Sequence, residues 1–231
     1  MRYIGSKNKI SKDILPFILR RLQQFPNGEY IEPFVGGCNM IDKVNHHTKK
    51  GYDNSKYLIA LLQMAQTNPE VFPETISEEE LLKVKSNINN YPDWYVGLVG
   101  YCSTFANKFM AGFGRSAGRD QSAESIRNIL RQDLSNIELY HADYLSIDIG
   151  KGNIVYCDPP YLNKNYYGTP FDHEQFHDWL RKISIDNCVL VSEYTMPSDF
   201  KCLWQKVVPA TMSKNSSNSY NYKVEKLWTL K

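Results

Sequence analysis

No stretch of the 231 residues approaches the ~20 consecutive apolar residues that a membrane-spanning helix needs, so no membrane partner is expected. There is no CxxC pair, no internal repeat, no low-complexity tract and no apolar signal segment. Five cysteines, an odd number, therefore predict no disulfide framework and a reducing compartment, the cytoplasm. Strong charge is missing as well: the net charge is +2 and the pI about 8.1, too mild to announce a nucleic-acid binder from composition. Any electrostatic footprint must come from local clusters. One lies between Met1 and Leu22, where Arg2, Lys7, Lys9, Lys12, Arg20 and Arg21 face Asp13 alone. Another lies between Phe105 and Arg131, where Lys108, Arg115, Arg119, Arg127 and Arg131 outnumber Asp120 and Glu124. On composition alone these read as two solvated faces rather than as a binding surface.

What is present is a core. A hydrophobic content of 42% suits one large domain or a domain carrying an insertion. Ile10, Ile14, Ile18 and Leu22 recur at helical spacing, although Pro16 must kink that helix or delay its start. Glu29 to Val35 reads as a strand entering Gly36-Gly37, and Met40 to Val44 as a helix restarting after it. Gly51-Tyr52-Asp53 ends a second strand, and Tyr57, Leu58, Leu61, Leu62 and Ala65 line a helical face. This β-α-β opening predicts a parallel sheet and an α/β fold. From about Thr67 to Ser135 the strand pattern lapses into helical and irregular sequence, which reads as an insertion. Strands resume at 137–141, 153–157, 188–193 and 224–230, with a helix between Asp172 and Ser184.

Two motifs carry chemistry. Paired glycines at the end of the first strand let a backbone approach a ligand that any Cβ would block. Asp53, about 16 residues beyond Gly37, stands where α/β folds place an acid on the two ribose hydroxyls of a nucleotide. A tight turn and a helix cap would use the same residues. Neither GxGxxG nor a Walker lysine accompanies them.

The second motif is Val155-Tyr156-Cys157-Asp158-Pro159-Pro160-Tyr161. A buried strand ends in an acid, and two prolines then fix φ and turn the chain stiffly out of the carboxyl end of the sheet, where such sheets bind ligands. The Asp158 carboxylate and the Pro159 carbonyl give two acceptors converging on one point, which suits a planar amine with two N–H donors. Accepting those hydrogens frees a lone pair that is otherwise delocalised into a ring. Tyr161 adds a stacking face. The competing reading is a strand cap followed by a Pro-Pro turn.

Tyr3-Ile4-Gly5-Ser6-Lys7, Glu32-Pro33-Phe34-Val35-Gly36-Gly37, Asp53 and Cys157-Asp158-Pro159-Pro160-Tyr161 stand in the order found in the Dam-type, D12-class DNA adenine-N6 methyltransferases, which the chain resembles nearly from end to end. Ser192-Glu193-Tyr194 and Glu225-Lys226-Leu227-Trp228 extend the likeness, and the insertion is its poorest part. The resemblance implies a seven-stranded Rossmann-like sheet binding S-adenosylmethionine, a mostly helical DNA-recognition insertion, and methyl transfer to a flipped adenine of double-stranded DNA by a monomer, in restriction–modification or alone. It implies a catalytic domain at 1–56 and 136–231 and a recognition insertion at 57–135. By position it gives the methionine end of the cofactor to Tyr3 and Lys7, the glycine turn to Phe34, Gly36 and Gly37, and the ribose to Asp53. The cofactor's adenine falls to Asp143 and Tyr144, and Asp158, Pro159, Pro160 and Tyr161 form the catalytic loop, with Asp158 also beside the cofactor. Cys38 departs from the Gly-Ala-Gly of many relatives.

His173-Glu174-Gln175-Phe176-His177 is a literal HExxH, the zinc-protease pattern. Asp172 with Gln175 makes a capping box, Phe176, Trp179, Leu180 and Ile183 form a buried stripe, and no third histidine follows, although Glu193 could in principle serve as third ligand, so no metal is expected. In the insertion, Lys108, Arg115 and Arg119 alternate with Phe105, Phe109 and Phe113, offering phosphate contacts and apolar wedges. Methylation of an RNA base amine and a catalytically degenerate DNA-binding protein are the alternatives to DNA adenine methylation.

Overall fold

The computed structural model describes residues 1, 3, 5–116, 119–162, 171–214 and 220–231, with the side chains of 116–120 and 210–221 outside that description. In chain order the elements are α1 (Ser11–Gln24), β1 (Tyr30–Glu32), β2 (Lys49–Asp53), α2 (Lys56–Thr67), α3 (Glu78–Ser86), α4 (Asp93–Cys102), β3 (Arg115–Ser116), β4 (Arg119–Asp120), α5 (Gln121–Leu130), β5 (Ile137–His141), β6 (Ile154–Cys157), α6 (His173–Ile183), β7 (Cys188–Ser192), β8 (Phe200–Lys214) and β9 (Tyr220–Leu230). The fold is mixed α/β, with seven sheet strands and a separate two-stranded β3–β4 ladder. The chain forms two compact units, Met1–Leu15 with Pro33–Ile147, and Pro16–Glu32 with Asp148–Lys231.

In the first unit β2 and β5 run parallel in a register from Lys49 opposite Ile137 to Asp53 opposite His141. Helix α2 starts on Ser55, whose hydroxyl accepts from the Leu58 N–H, and buries Leu58, Ile59, Leu61 and Leu62. Helix α4 is buried from Val96 through Cys102 without a polar face, which marks it as the centre of the helical part. It approaches α2 at Gly97, where a Cβ would stand 2.1 Å from the Tyr57 carbonyl oxygen. Helix α3 follows the charge rule for its dipole, with Glu78, Glu79 and Glu80 in its first turn and Lys83 and Lys85 in its last.

In the second unit the strands lie in the order β1-β6-β7-β9-β8. β6 is parallel to both β1 and β7, while β9 is antiparallel to β7 and β8. Every residue of β6 is buried, as a strand enclosed on both faces requires. Asp172 caps α6 by accepting from the Gln175 N–H, and the helix buries Phe176, Trp179 and Leu180.

Two expectations change and a third, at Pro16, narrows. The glycine turn leads not into a helix over Met40 to Val44 but into one 3-10 turn, Ile41–Lys43, because Val44 is already extended and five residues do not sustain a nucleus. Pro16 sits inside α1, so the helix neither starts late nor ends there. The first strand stops at Glu32, because Pro33 has no N–H for the ladder.

Candidate active site

The cofactor half of the predicted site lies in the first unit. Because β2 and β5 end level, Asp53 and the segment after His141 leave the same strand edge, and the Ala142 N–H donates to the Asp53 carbonyl at 3.1 Å. The Asp53 side chain is half-buried and tied on both oxygens: Oδ1 accepts from the Ser55 N–H at 3.0 Å and Oδ2 from the Gly36 N–H at 3.1 Å. Burial pushes this carboxyl up from 3.8 to about 6, and the two N–H groups and nearby His141 pull it part of the way back. Two of its roughly four acceptor positions are thus in use, and the acid stays bonded to the glycine turn it is expected to serve.

The turn is tighter than the motif alone implies. Gly36 has φ of +50°, and a Cβ there would meet the Tyr3 ring at 3.0 Å; one on Gly37 would meet Tyr3 Cβ at 3.0 Å. Cys38, buried and not glycine, also takes a positive φ of 55°, so the departure from Gly-Ala-Gly falls on a strained residue. Gln132, beyond α5, donates to the carbonyls of Gly37 at 2.9 Å and Cys38 at 3.0 Å. Lys7 is buried and donates to the Gly5 carbonyl at 3.0 Å. The Phe34 and Tyr144 rings lie 5.2 Å apart, Tyr144 is buried, and Asp143 is exposed and caps the Leu145 N–H at 2.9 Å. Ile4 lies outside the described residues.

The second unit carries the loop expected to be catalytic. Asp158 follows directly on buried Cys157 at the carboxyl end of β6, between β1 and β7. Its charge is felt at Tyr156, Cys157 and Tyr161, where burial, the larger cause for each, already holds the proton on well above the ordinary range. Prolines 159 and 160 have no N–H, so the bond that Asp53 makes to the N–H two residues on is chemically denied to Asp158. Tyr161, expected to offer a stacking face, is also held by its hydroxyl. Its hydroxyl donates to Glu225 Oε2 at 3.0 Å, and its ring meets Tyr194 edge-on with centroids 4.5 Å apart. Glu193 and Glu225, both buried, take part here without having been singled out as site residues. The signal was present: Glu225 alternates with Leu227 on one face of a strand, where an acid has no apolar reason to be.

The remaining candidates scatter. Arg115 is exposed and paired with Glu78 at 2.5 Å, Lys108 is exposed, and the Arg119 side chain lies outside the described residues, as do Arg2, Ala117 and Gly118. Of the three phenylalanines only Phe105 is exposed, at 63%; Phe109 is spent on Tyr57 and Tyr101, with centroids 5.2 and 5.0 Å away, and Phe113 bridges to Thr104. The two histidines of HExxH have ring centroids 6.4 Å apart and line a shallow cleft with Leu162, Thr195, Met196 and Pro197. Among the described residues no cluster of His, Cys, Asp and Glu could hold a metal, and no helix is long and apolar enough to cross a membrane.

One parallel strand ends in an acid tied to a glycine turn, suited to a nucleoside, and another ends in a proline-stiffened acid, suited to an amine. That division of labour belongs to S-adenosylmethionine-dependent methyltransferases, and the residues around Asp53 fit the cofactor. The chain belongs to the D12 class N6 adenine-specific DNA methyltransferase family, whose model matches residues 3–97 and 93–217. A search of curated proteins found no match. Among solved structures, a putative methyltransferase from Thermoplasma acidophilum aligns at 10% identity and a TM-score of 0.35, covering 88% of this chain and 68% of that one. The rRNA methyltransferase aviRa from Streptomyces viridochromogenes aligns at 11% identity and 0.37, covering 96% and 84%. SMU.472, a putative methyltransferase complexed with SAH, aligns at 9% and 0.31, covering 89% and 48%.

Proposed function

We propose that this methyltransferase acts on the exocyclic N6 of an adenine turned out of double-stranded DNA. The observation that carries the reading is Asp158, set at the end of a fully buried parallel strand and followed by two residues that cannot cap it. When bound, S-adenosylmethionine supplies an electrophilic methyl group on a sulfonium sulfur. The chain's own residues prepare the acceptor. The Asp158 carboxylate and the Pro159 carbonyl accept the two N–H bonds of the amine, which favours a pyramidal nitrogen with its lone pair aimed at the incoming carbon. The N–C bond would form as the sulfonium C–S bond breaks to leave a neutral thioether; the Asp158 carboxylate would stabilise the positive charge that develops on the nitrogen and accept its proton on the way to solvent. Tyr161 stacks on the base. Turning the base out costs a few kcal/mol, offset by that stacking and by hydrogen bonds to the base edge.

Asp53 would hold the ribose hydroxyls, Gly36 and Gly37 the passing backbone, Tyr3, Lys7 and Phe34 the methionine side, and Asp143 and Tyr144 the cofactor's adenine. Residues 57–135 would meet the DNA, with Lys108, Arg115 and Arg119 on phosphates. The Arg115–Glu78 pair does not oppose this, because an exposed ion pair contributes about 0–1 kcal/mol. Arg115→Ala is expected to lower the log–log salt slope of DNA binding by about one, which titrations at several ionic strengths read.

Transfer of a tritiated methyl group to duplex DNA and, in parallel, to RNA, followed by nucleoside analysis, tests the reading. N6-methyl-2′-deoxyadenosine from DNA supports it. Label in RNA only makes the chain an RNA base-amine methyltransferase, and binding of DNA without label makes it a degenerate relative.

A further inference from the structure

Ser192-Glu193-Tyr194 and Glu225-Lys226-Leu227-Trp228 belong to the chain's motif set, yet the chemistry above assigns them nothing. In the second unit both acids converge on the two residues that follow Asp158-Pro159-Pro160. Glu225, in β9, is 3% exposed and shared: Oε2 accepts from the Tyr161 hydroxyl at 3.0 Å, and Oε1 takes the Lys223 ammonium at 2.5 Å. Glu193, directly after β7, is 2% exposed and also committed on both oxygens. Its Oε2 accepts from the Leu162 N–H at 3.2 Å and its Oε1 from the Tyr194 N–H at 2.6 Å, while its carbonyl accepts from Trp228 Nε1 at 2.9 Å. Tyr194 closes the arrangement, with its ring edge against Tyr161 and the Lys223 ammonium 5.7 Å from its centroid.

Two carboxylates buried this deeply carry a desolvation penalty of several kcal/mol each, and apolar residues of the same volume would join β7 to β9 at no such cost. What an apolar residue cannot do is hold a phenol by its oxygen and a loop by its N–H. We propose that Glu193 and Glu225 are positioning residues for methyl transfer, a pair of buried carboxylates that clamp Tyr161 by its hydroxyl and Leu162 by its backbone and so fix the loop that presents Asp158. This rests on the proposed base chemistry, because the clamp matters to a reaction only if Tyr161 stacks the base and Asp158 meets its amine. Tethered at its far end, the Tyr161 ring cannot swing about its Cα–Cβ bond, so the base on it keeps one distance to Asp158 and Pro159. Lys223 fixes the other Glu225 oxygen and so keeps the tether itself from turning.

The test uses the full chain with Tyr161→Phe, Glu225→Gln and both changes together. Tyr161→Phe keeps the stacking ring and removes only the tether. The expected result is a single-turnover rate down about tenfold in Tyr161→Phe, a smaller loss in Glu225→Gln, whose amide oxygen can still accept from the phenol, and a double variant no slower than Tyr161→Phe, since both changes act on one bond. Affinities for S-adenosylmethionine and DNA, and the fluorescence rise of 2-aminopurine at the target position on turning out, are expected to stay within twofold. A parental rate in Tyr161→Phe, or losses that multiply in the double variant, overturns the clamp. If Glu225→Gln does not fold, Tyr161→Phe alone decides by the same criterion. Hydrogen exchange at the Leu162 amide is read in parallel without any substrate: acceleration in Tyr161→Phe supports the clamp, and unchanged protection overturns it. An unmodified protein that transfers no methyl group to DNA removes the proposed function instead and leaves the exchange result standing.

Discussion

Asp53 and Asp158 occupy the same station, the first position at or after the carboxyl end of a parallel strand, and their surroundings part company within two residues. After Asp53 the chain reads Asn-Ser, and the Ser55 N–H folds back on the carboxylate while its hydroxyl opens α2. After Asp158 it reads Pro-Pro, and neither position has an N–H to offer. One acid is drawn into the architecture of its own turn; the other is refused it. On the proposed function, the holder of the ribose is the acid whose next two residues have N–H groups, and the acceptor for the amine is the acid whose next two residues have none.

The sharpest way to break the comparison is Asp158→Asn. It keeps the shape but puts an NH2 against the amine's own N–H groups, and the single-turnover rate is expected to fall at least a thousandfold with cofactor affinity unchanged. A readily measured rate would reduce Asp158 to a turn cap like its counterpart. Asp53→Ala acts on the other arm: calorimetry is expected to show S-adenosylmethionine binding weakened roughly ten- to a hundredfold, the value of about 1.5–3 kcal/mol for a hydrogen-bonded charge, with the rate at saturating cofactor little altered.

The pH dependence follows from the same acid. In the free protein Asp53 loses its proton only near 6, so its capacity to accept from ribose hydroxyls is complete above that value and fades below it. Cofactor affinity is therefore expected to drop by up to about tenfold between pH 6 and 5, and the dependence is expected to vanish in Asp53→Asn. For stability the sign is opposite. A raised carboxyl penalises the folded state above about 6, and the penalty disappears as pH falls from there toward 3.8. The smallest effect is the most pointed. Pro160→Ala gives Asp158 the N–H two residues on that Asp53 already has, and a hydrogen bond of about 0.5–1.5 kcal/mol is expected to slow transfer roughly three- to tenfold. An unchanged rate would mean that the prolines only stiffen the loop.

Much of this was readable because it is local. Asp158-Pro159-Pro160 and the glycine turn are contiguous, and β6 and β7 announce themselves as short apolar runs between polar residues. β8 went unread: Gln205, Lys206 and Pro209 interrupt it, and only its pairing with β9, Val207 opposite Val224, makes it a strand. Glu193 and Glu225 escaped for the same reason, since they lie 32 and 64 residues from Tyr161 and meet its loop only in the folded sheet. Phe105 and Phe109 look alike in sequence and separate only by packing, Phe109 turned inward and Phe105 out.

The close approach of α4 to α2 at Gly97 sets terms for protein engineering. A graft of the corresponding helical segment of a relative, cut within or after α2, anywhere between Tyr57 and Thr67, would bring a foreign helix against a native backbone carbonyl that tolerates no Cβ at that crossing. A cassette spliced ahead of Ser55 carries both partners of the contact, cap included, and so travels as one piece.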